Sequence, residues 1–423
     1  MGQVDAVAGR HLQLELRFEH ALDVHVKFSL GHLLDERGYV LHFDPPAARS
    51  GRIVWPVLLN YYAIGAAVIV GAASGAACVR WIRSGVGSGS AVFRAAAAGI
   101  AGSLLFSAGG FVVTGLDGFT LIHVVYLVLV VGVPLAGAIV LTFARERSRA
   151  ITALCLAAQL AIPVGIYATH IEPFWLRTDS VELSVAGVGD PIRVGVLADL
   201  QTTEIGSYEN EAVDRLIEAA PDMVLIPGDL YQFDEDVFDE RAPQFSEVIQ
   251  RLVDAASTVL LVSGNTDTVA GLRAITEGTG ARVLDNEVET LVVNGNVVSV
   301  GGTTLFSDER EARRVAEQLS DGDQAGVRIF LAHKPDAIEL LEGRSVDLLV
   351  SGHTHGGQVS LPFFGPPLTL SDVPRHVAAG GLHELDGTAV YVSTGVGRER
   401  DNAPQLRFGV RPSIGIIDLV GDS

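Results

Sequence analysis

The stretch Leu348 to Gln358 reads LLVSGHTHGGQ: four residues of a buried strand, a glycine, two histidines one residue apart, and two further glycines. An apolar strand gains nothing from ending in two imidazoles, whereas a metal centre needs such donors held on stiff backbone. Glycines on either side permit the tight turns and close backbone approach that a metal site demands.

Four other segments repeat the design. RVGVLADL (193–200), DMVLIPGD (222–229), TVLLVSGN (258–265) and VRIFLAHK (327–334) are each about five apolar residues that stop abruptly at polar ones, as buried strands do. The five ends supply Asp199 and Gln201, Asp229, Asn265, His333, then His353 and His355. In open α/β sheets ligands bind at the carboxyl ends of strands, so residues scattered in sequence are expected to converge there. One such residue would mean little; five successive strand ends do not arise from packing.

Helical patterns separate the strands. YENEAVDRLIEAA (208–220) places Ala212, Leu216, Ile217 and Ala220 at helical spacing after an expected cap at Ser207, and QFSEVIQRLVDAA (244–256) does the same with Phe245, Val248, Ile249, Leu252 and Val253. The region is α/β.

Upstream the composition changes. Four apolar stretches, roughly Ile53 to Val79, Ala91 to Gly115, Phe119 to Ala144 and Ile151 to Ile171, are each near the ~20 residues that cross a bilayer core. They explain why a chain of 423 residues is 48% hydrophobic with a mean hydropathy of +0.35. A cleavable leader fits poorly, since the first run starts some fifty residues in and three more follow. The expected organisation is a poorly ordered tail over 1–52, four transmembrane helices over 53–171, and a soluble domain over 172–423. In the tail only Leu12 to Phe18 alternate as a half-buried strand would, with no second strand pattern beside them.

Residues before Glu172 hold 9 of the 50 acids and 12 of the 30 bases, which leaves the soluble part with 41 acids against 18 bases. So acidic a surface repels phosphate backbones, and no nucleic-acid partner is expected. Both cysteines, Cys78 and Cys155, fall in apolar stretches, so neither a disulfide framework nor a catalytic thiolate is expected. A transporter would carry ionisable residues along its spans, where only His123 qualifies. Arginines 80 and 83 lie between the first two spans, and Arg145, Arg147 and Arg149 between the last two. The positive-inside rule makes those loops cytoplasmic, and the domain is therefore expected outside the cell membrane.

The ordered series Asp199, Gly228-Asp229, Gly264-Asn265, His333 and Gly352-His353-Thr354-His355 resembles the calcineurin-like metallophosphoesterases, whose pattern is D-x-H, G-D, G-N-H, H and G-H-x-H. The resemblance covers about 230 residues. GHTHGGQ, YATHIEPFWL (167–176) and the closing YVSTGVGRERDNAPQLRFGVRPSIGIIDL (391–419) are most similar to its membrane-anchored branch. It implies a four-layer α/β/β/α sandwich after the all-α transmembrane bundle, and a two-metal hydrolase of phosphodiesters or phosphomonoesters; tethering near the bilayer makes a lipid-linked ester an expected candidate by location alone. It further implies that Asp229 bridges the ions, that Asp199, Gln201 and His355 hold one, that Asn265, His333 and His353 hold the other, and that Asp229, Asn265 and His353 take part in catalysis. Two cations ~3.5 to 4 Å apart lower the pKa of a bridging water and neutralise charge on the phosphoryl transition state. Mixed donors suit Mn, Fe or Zn, and the amide oxygen of Gln201 favours Mn.

Two positions depart from the family pattern, which has histidine where this chain has Gln201 and Thr266. A glutamine oxygen can still bind a metal. Threonine cannot serve as an acid near neutral pH, and Asp267 and His376 are the conceivable substitutes. The second reading of the chain is accordingly a binding or regulatory module of the same fold with weakened chemistry.

Overall fold

A computed structural model describes residues 11–16, 26–31, 34–35, 38–39, 54–114, 118–145, 147–305, 307–321, 326–399 and 403–422. The chain divides into two compact units, Met1–Ile162 with Asp401–Pro404, and Pro163–Arg400 with Gln405–Ser423.

In the first unit, four helices are long and apolar enough to cross a membrane: Asn60–Arg83, Gly89–Gly110, Phe119–Phe143 and Arg149–Phe174, the last running on into the second unit. Their outward residues are apolar, among them Ile69, Phe93, Ile100, Leu105 and Leu154, the inverse of a water-soluble bundle. Inside, small residues let backbones touch. A Cβ added at Gly71 would sit 2.4 Å from the Gly132 carbonyl oxygen, so the first and third spans pack without side chains between them at that level. The third span holds one π-helical turn, Val128–Gly132. Arg83 bonds the Phe143 carbonyl at 2.9 Å, which satisfies an orphan group at a helix end.

In the tail, His11–Leu16 pairs antiparallel with Val26–Gly31, a partner the sequence pattern does not reveal. The rest of the expected poorly ordered tail falls outside the described residues, short bridges at 34–35 and 38–39 apart.

The second unit contains two six-stranded sheets. In chain order the elements are β1 (Arg177–Ser184), β2 (Ile192–Val196), α1 (Ser207–Glu218), β3 (Met223–Ile226), α2 (Phe238–Ala255), β4 (Thr258–Leu261), α3 (Val269–Thr276), β5 (Arg282–Val283), β6 (Glu287–Val293), β7 (Asn296–Thr303), α4 (Glu309–Asp321), β8 (Val327–Ala332), β9 (Leu348–Ser351), β10 (Gly381–Leu385), β11 (Thr388–Val392) and β12 (Ser413–Val420). One sheet runs β1-β12-β2-β3-β4-β5 and the other β6-β7-β8-β9-β11-β10. Strands β2 to β5 are parallel, as are β7, β8, β9 and β11; β12 lies inside the first sheet between β1 and β2, parallel to the one and antiparallel to the other.

The sheets pack face to face. Val194, Val196, Leu225 and Leu260 of one meet Val300, Ile329, Leu331 and Val350 of the other in a shared apolar core. The outer face of the first sheet buries Leu216 of α1 with Phe245, Ile249 and Leu252 of α2. The outer face of the second buries Val315 and Leu319 of α4 against Phe330 and Leu349. Strands covered on both sides read as unbroken apolar runs, which is the pattern of β3 and β9. The layers are α/β/β/α. One local expectation is corrected: Gly206, not Ser207, precedes the first turn of α1, and the Glu209 carboxylate reaches back to the Gly206 N–H at 3.0 Å.

Candidate metal centre

The parallel strands of both sheets deliver their carboxyl ends to one edge, and all the candidate side chains follow those ends. Asp199 and Gln201 come after β2, Asp229 after β3 and Asn265 after β4 of the first sheet; His333 follows β8 and His353 and His355 follow β9 of the second. Backbone bonds stitch the ends together: Gln201 N to Asp229 O at 2.8 Å and Gly352 N to the His333 carbonyl at 3.0 Å.

Five of the seven candidates sit in the left-handed region, with φ of 47° at Asp199, 40° at Gln201, 52° at Asp229, 70° at His353 and 47° at His355. Each costs roughly 1 kcal/mol or more for a residue with a Cβ, and such strain gathers where a fold is held to a task. Two glycines are there for room instead. A Cβ at Gly264 would lie 2.1 Å from Asp229 Oδ1, and one at Gly352 would lie 2.6 Å from Asp199 Oδ2.

The side chains converge. Asp199, Asp229 and His333, all buried, each offer a ligand atom within 4.8 Å of one another. The fixed tautomer of His333 shows what they converge for. Its Nδ1 lies 2.8 Å from the Pro227 carbonyl, which can only accept, so Nδ1 carries the proton and Nε2 presents a lone pair. Around that lone pair stand Asn265 Oδ1 at 2.9 Å, His353 Nδ1 at 3.2 Å and Asp229 Oδ2 at 3.4 Å, with Asn265 Oδ1 and His353 Nδ1 themselves 3.1 Å apart. Four atoms able to donate a lone pair thus crowd together. Edges of about 3 Å are those of ligand atoms around one cation at ~2.0–2.2 Å.

The electrostatics agree. Burial, and then the Asp229 carboxylate, raise Asp199 well above the usual carboxylate range, against two bonds from the His353 N–H at 3.0 and 3.1 Å. Burial, and then His333, push His353 down to about 3, so that its ring is neutral. Crowded acids and neutral imidazoles, all oxygen or nitrogen donors, fit divalent cations of the Mn, Fe or Zn kind. Gln201 is buried on the same edge, and His355 turns its Nδ1 towards Arg407 at 3.1 Å; His355 stands outside the Asp199, Asp229 and His333 group.

Residues 192–357 match the family model of calcineurin-like phosphoesterases. The likeness to calcineurin-like phosphoesterases is carried by that stretch of the chain. The Escherichia coli (strain K12) phosphodiesterase YaeI is 28% identical over 275 residues, covering 62% of this chain and 96% of that one. The uncharacterized metallophosphoesterase YkuE of Bacillus subtilis (strain 168) is 27% identical over 266 residues, covering 60% and 88%. Among solved structures, a phosphoesterase from E. coli aligns at 15% identity over 48% of this chain and 80% of its own, with a TM-score of 0.24.

Within this phosphoesterase domain the two substitutes weighed for the missing histidine do other work. Asp267 is buried and clamps two loops, accepting from Gly264 N and Leu230 N at 2.7 Å each; burial, and then Asp229, push it up to about 8. His376 is exposed with its ring against His383. Thr266 donates its hydroxyl to the Tyr231 carbonyl at 2.8 Å and its N–H to Asp229 Oδ1 at 2.9 Å, so it orients the carboxylate. A cavity of about 270 Å³ opens beside His333; Arg313 and Lys334 line it together with Glu309, Asp336 and Glu339, and Arg313 is paired with Glu309 at 2.7 Å, so the lining carries no excess of positive charge.

Arg407 is the residue that pattern reasoning misses. It is wholly buried, and its guanidinium bonds the carbonyls of Thr394 at 2.7 Å, Gly395 at 3.2 Å and Gly397 at 2.6 Å while facing His355 Nδ1. These carbonyls belong to the turn after β11, the sixth strand end at the centre. The sequence does not set it apart from the other arginines of the closing segment, Arg398, Arg400 and Arg411. Arg407→Ala should destabilise the domain by about 3 kcal/mol or more, because several buried carbonyls lose their donor. Thermal melts of the full chain in detergent check this, and an unchanged melting temperature would contradict it.

Proposed function

We propose that the chain is a membrane-anchored, two-metal phosphoesterase that hydrolyses phosphodiesters or phosphomonoesters, lipid-linked ones among them. The observation that carries the reading is the convergence of ligand atoms from Asp229, Asn265, His333 and His353, the other three lying 2.9 to 3.4 Å from His333 Nε2. In this reading Asn265, His333 and His353 would hold one cation and Asp199, Gln201 and His355 the other, with Asp229 contributing to both. When bound, the pair of cations supplies Lewis acidity to the phosphoryl group and an activated water.

The protein's own residues do the rest. Pro227 fixes the His333 tautomer, Thr266 N–H holds one oxygen of Asp229 and leaves the other directed inward, and the His353 N–H holds Asp199. Threonine at 266 leaves no proton donor for the leaving group at that position, so esters of acidic alcohols are the favoured substrates. The preserved donor set favours an enzyme over a binding module. Assay of the full chain in detergent with bis-p-nitrophenyl phosphate should show hydrolysis that depends on added Mn. Inertness with Mn, Fe and Zn alike would establish the binding-module reading instead.

In this reading the domain lies on the extracytoplasmic side, which the arginine-bearing loops support under the positive-inside rule. A reporter active only outside the cytoplasm should work when fused after Ser423 and stay silent in the loop around Arg147; the reverse pattern would overturn this sidedness.

A further inference from the structure

Among the described residues beyond Trp175, six large apolar side chains are strongly exposed, and five of them, Leu361, Phe363, Phe364, Leu368 and Leu370, belong to one loop. The segment LPFFGPPLTL carries no charge in a domain with 41 acids, and its three prolines limit the freedom lost on binding. A patch of this kind is normally buried against something.

The loop is wired to two places. At one end it begins four residues after Gly357 of the histidine motif and folds back over it: a Cβ at Gly357 would lie 2.6 Å from the Leu368 carbonyl oxygen, and the Leu370 backbone lies against the His353 ring. At the other, Ser360 N bonds the Phe408 carbonyl at 2.7 Å and Phe408 N bonds Gln358 at 2.8 Å. The Phe408 segment in turn rests on the last turns of the fourth span. Arg407 N bonds the Ala168 carbonyl at 2.8 Å, Gly409 N bonds the Glu172 carboxylate at 2.9 Å, and the Phe408 and Tyr167 rings meet edge to face. The loop therefore hangs from the point where a membrane-length helix ends.

Three arginine-on-aromatic pairs mark the same region: Arg375 over Phe364 at 4.6 Å, Arg398 over Phe174 at 4.6 Å and Arg411 over Trp175 at 4.3 Å. Aromatic rings beside cations are the composition of a membrane's headgroup level, and the cations complement anionic lipids.

We propose that the loop from Leu361 to Leu370 inserts into the lipid–water interface and holds the mouth of the metal centre at headgroup depth. The partner is the bilayer surface itself. The inference rests on the membrane-anchored reading but not on catalysis.

The test uses the full chain in proteoliposomes of phosphatidylethanolamine and phosphatidylglycerol, with Cys78→Ala and Cys155→Ala as background and an environment-sensitive fluorophore on one introduced cysteine. Phe363→Cys carries the label at the loop tip. Leu105→Cys reports a lipid-facing position of the second span, and Asp386→Cys reports the β10–β11 turn at the opposite edge of the sheet. Spin-labelled lipids should quench the label at 363 and at 105 at least about twofold more than at 386. Quenching at 105 with none at 363 would overturn the inference alone, and a blue-shifted label at 363 that no lipid quenches would assign the loop to a protein partner or a second copy. Absence of quenching at 105 would remove the anchored reading and the inference with it.

Discussion

Asp229→Asn is expected to lower hydrolysis of bis-p-nitrophenyl phosphate by roughly a thousandfold or more, the several kcal/mol that a metal centre contributes to the transition state. The loss should come without unfolding. Asparagine can keep its carbonyl oxygen on the Thr266 N–H, now 2.9 Å from Asp229 Oδ1, and turn its amide N–H towards His333 Nε2, now 3.4 Å from Asp229 Oδ2. That donor satisfies the lone pair that a cation would otherwise take. The variant should therefore melt at or above the wild-type temperature in chelator while binding less metal. Retained turnover would remove Asp229 from the centre.

Removal of metal from the wild type is expected to lower its melting temperature by about 5 to 10 °C, the effect of losing ligands present at a hundredfold excess over their dissociation constants in a domain of this size. The effect should depend on pH. Asp199 is raised by burial and then by Asp229, so the cation-free fold keeps a proton that the unfolded chain releases near pH 4. Such a group contributes its stability below the unfolded value, and that stability is lost as pH rises through the folded one. Bound cations hold the carboxylate ionised and cancel the loss, so the gap between loaded and chelated protein should widen from pH 5 to pH 8. Melting curves that are equal in metal and in chelator across that range would contradict an occupied centre.

The parts of the fold that are legible in the sequence are those buried on both faces. The runs ending at Asp199, Asp229, Asn265, His333 and His353 are unbroken apolar segments because each is covered by a helix layer on one side and the opposing sheet on the other. Edge elements do not announce themselves. In β1 exposure alternates along the strand and β5 is two residues long, while β12, paired on both sides between β1 and β2, reaches the first sheet from the far end of the chain. The four spans are plain because their apolar residues lie outside as well as within.

Of the site, the donors are legible and the supports are not. Position after a buried strand picks out the seven candidate ligands, but not the left-handed backbone that five of them adopt, since glycine is the residue expected there. Ser207 looks like a cap and is not, because Glu209 already serves Gly206. His333 before Pro335 looks able to cap a helix, yet its two nitrogens face Pro227 and Asn265. Arg407 and Asp267 act on backbone groups distant in sequence, and no local pattern encodes such partners.

The most direct test of a two-metal centre is elemental analysis of the full-length protein, stripped and then titrated with Mn, with hydrolysis of bis-p-nitrophenyl phosphate followed at each step. Two ions per chain should bind with activity rising to its maximum as the second site fills, and Asp229→Asn should bind fewer. A chain that binds no Mn, or one whose hydrolysis is the same with and without it, would contradict the account.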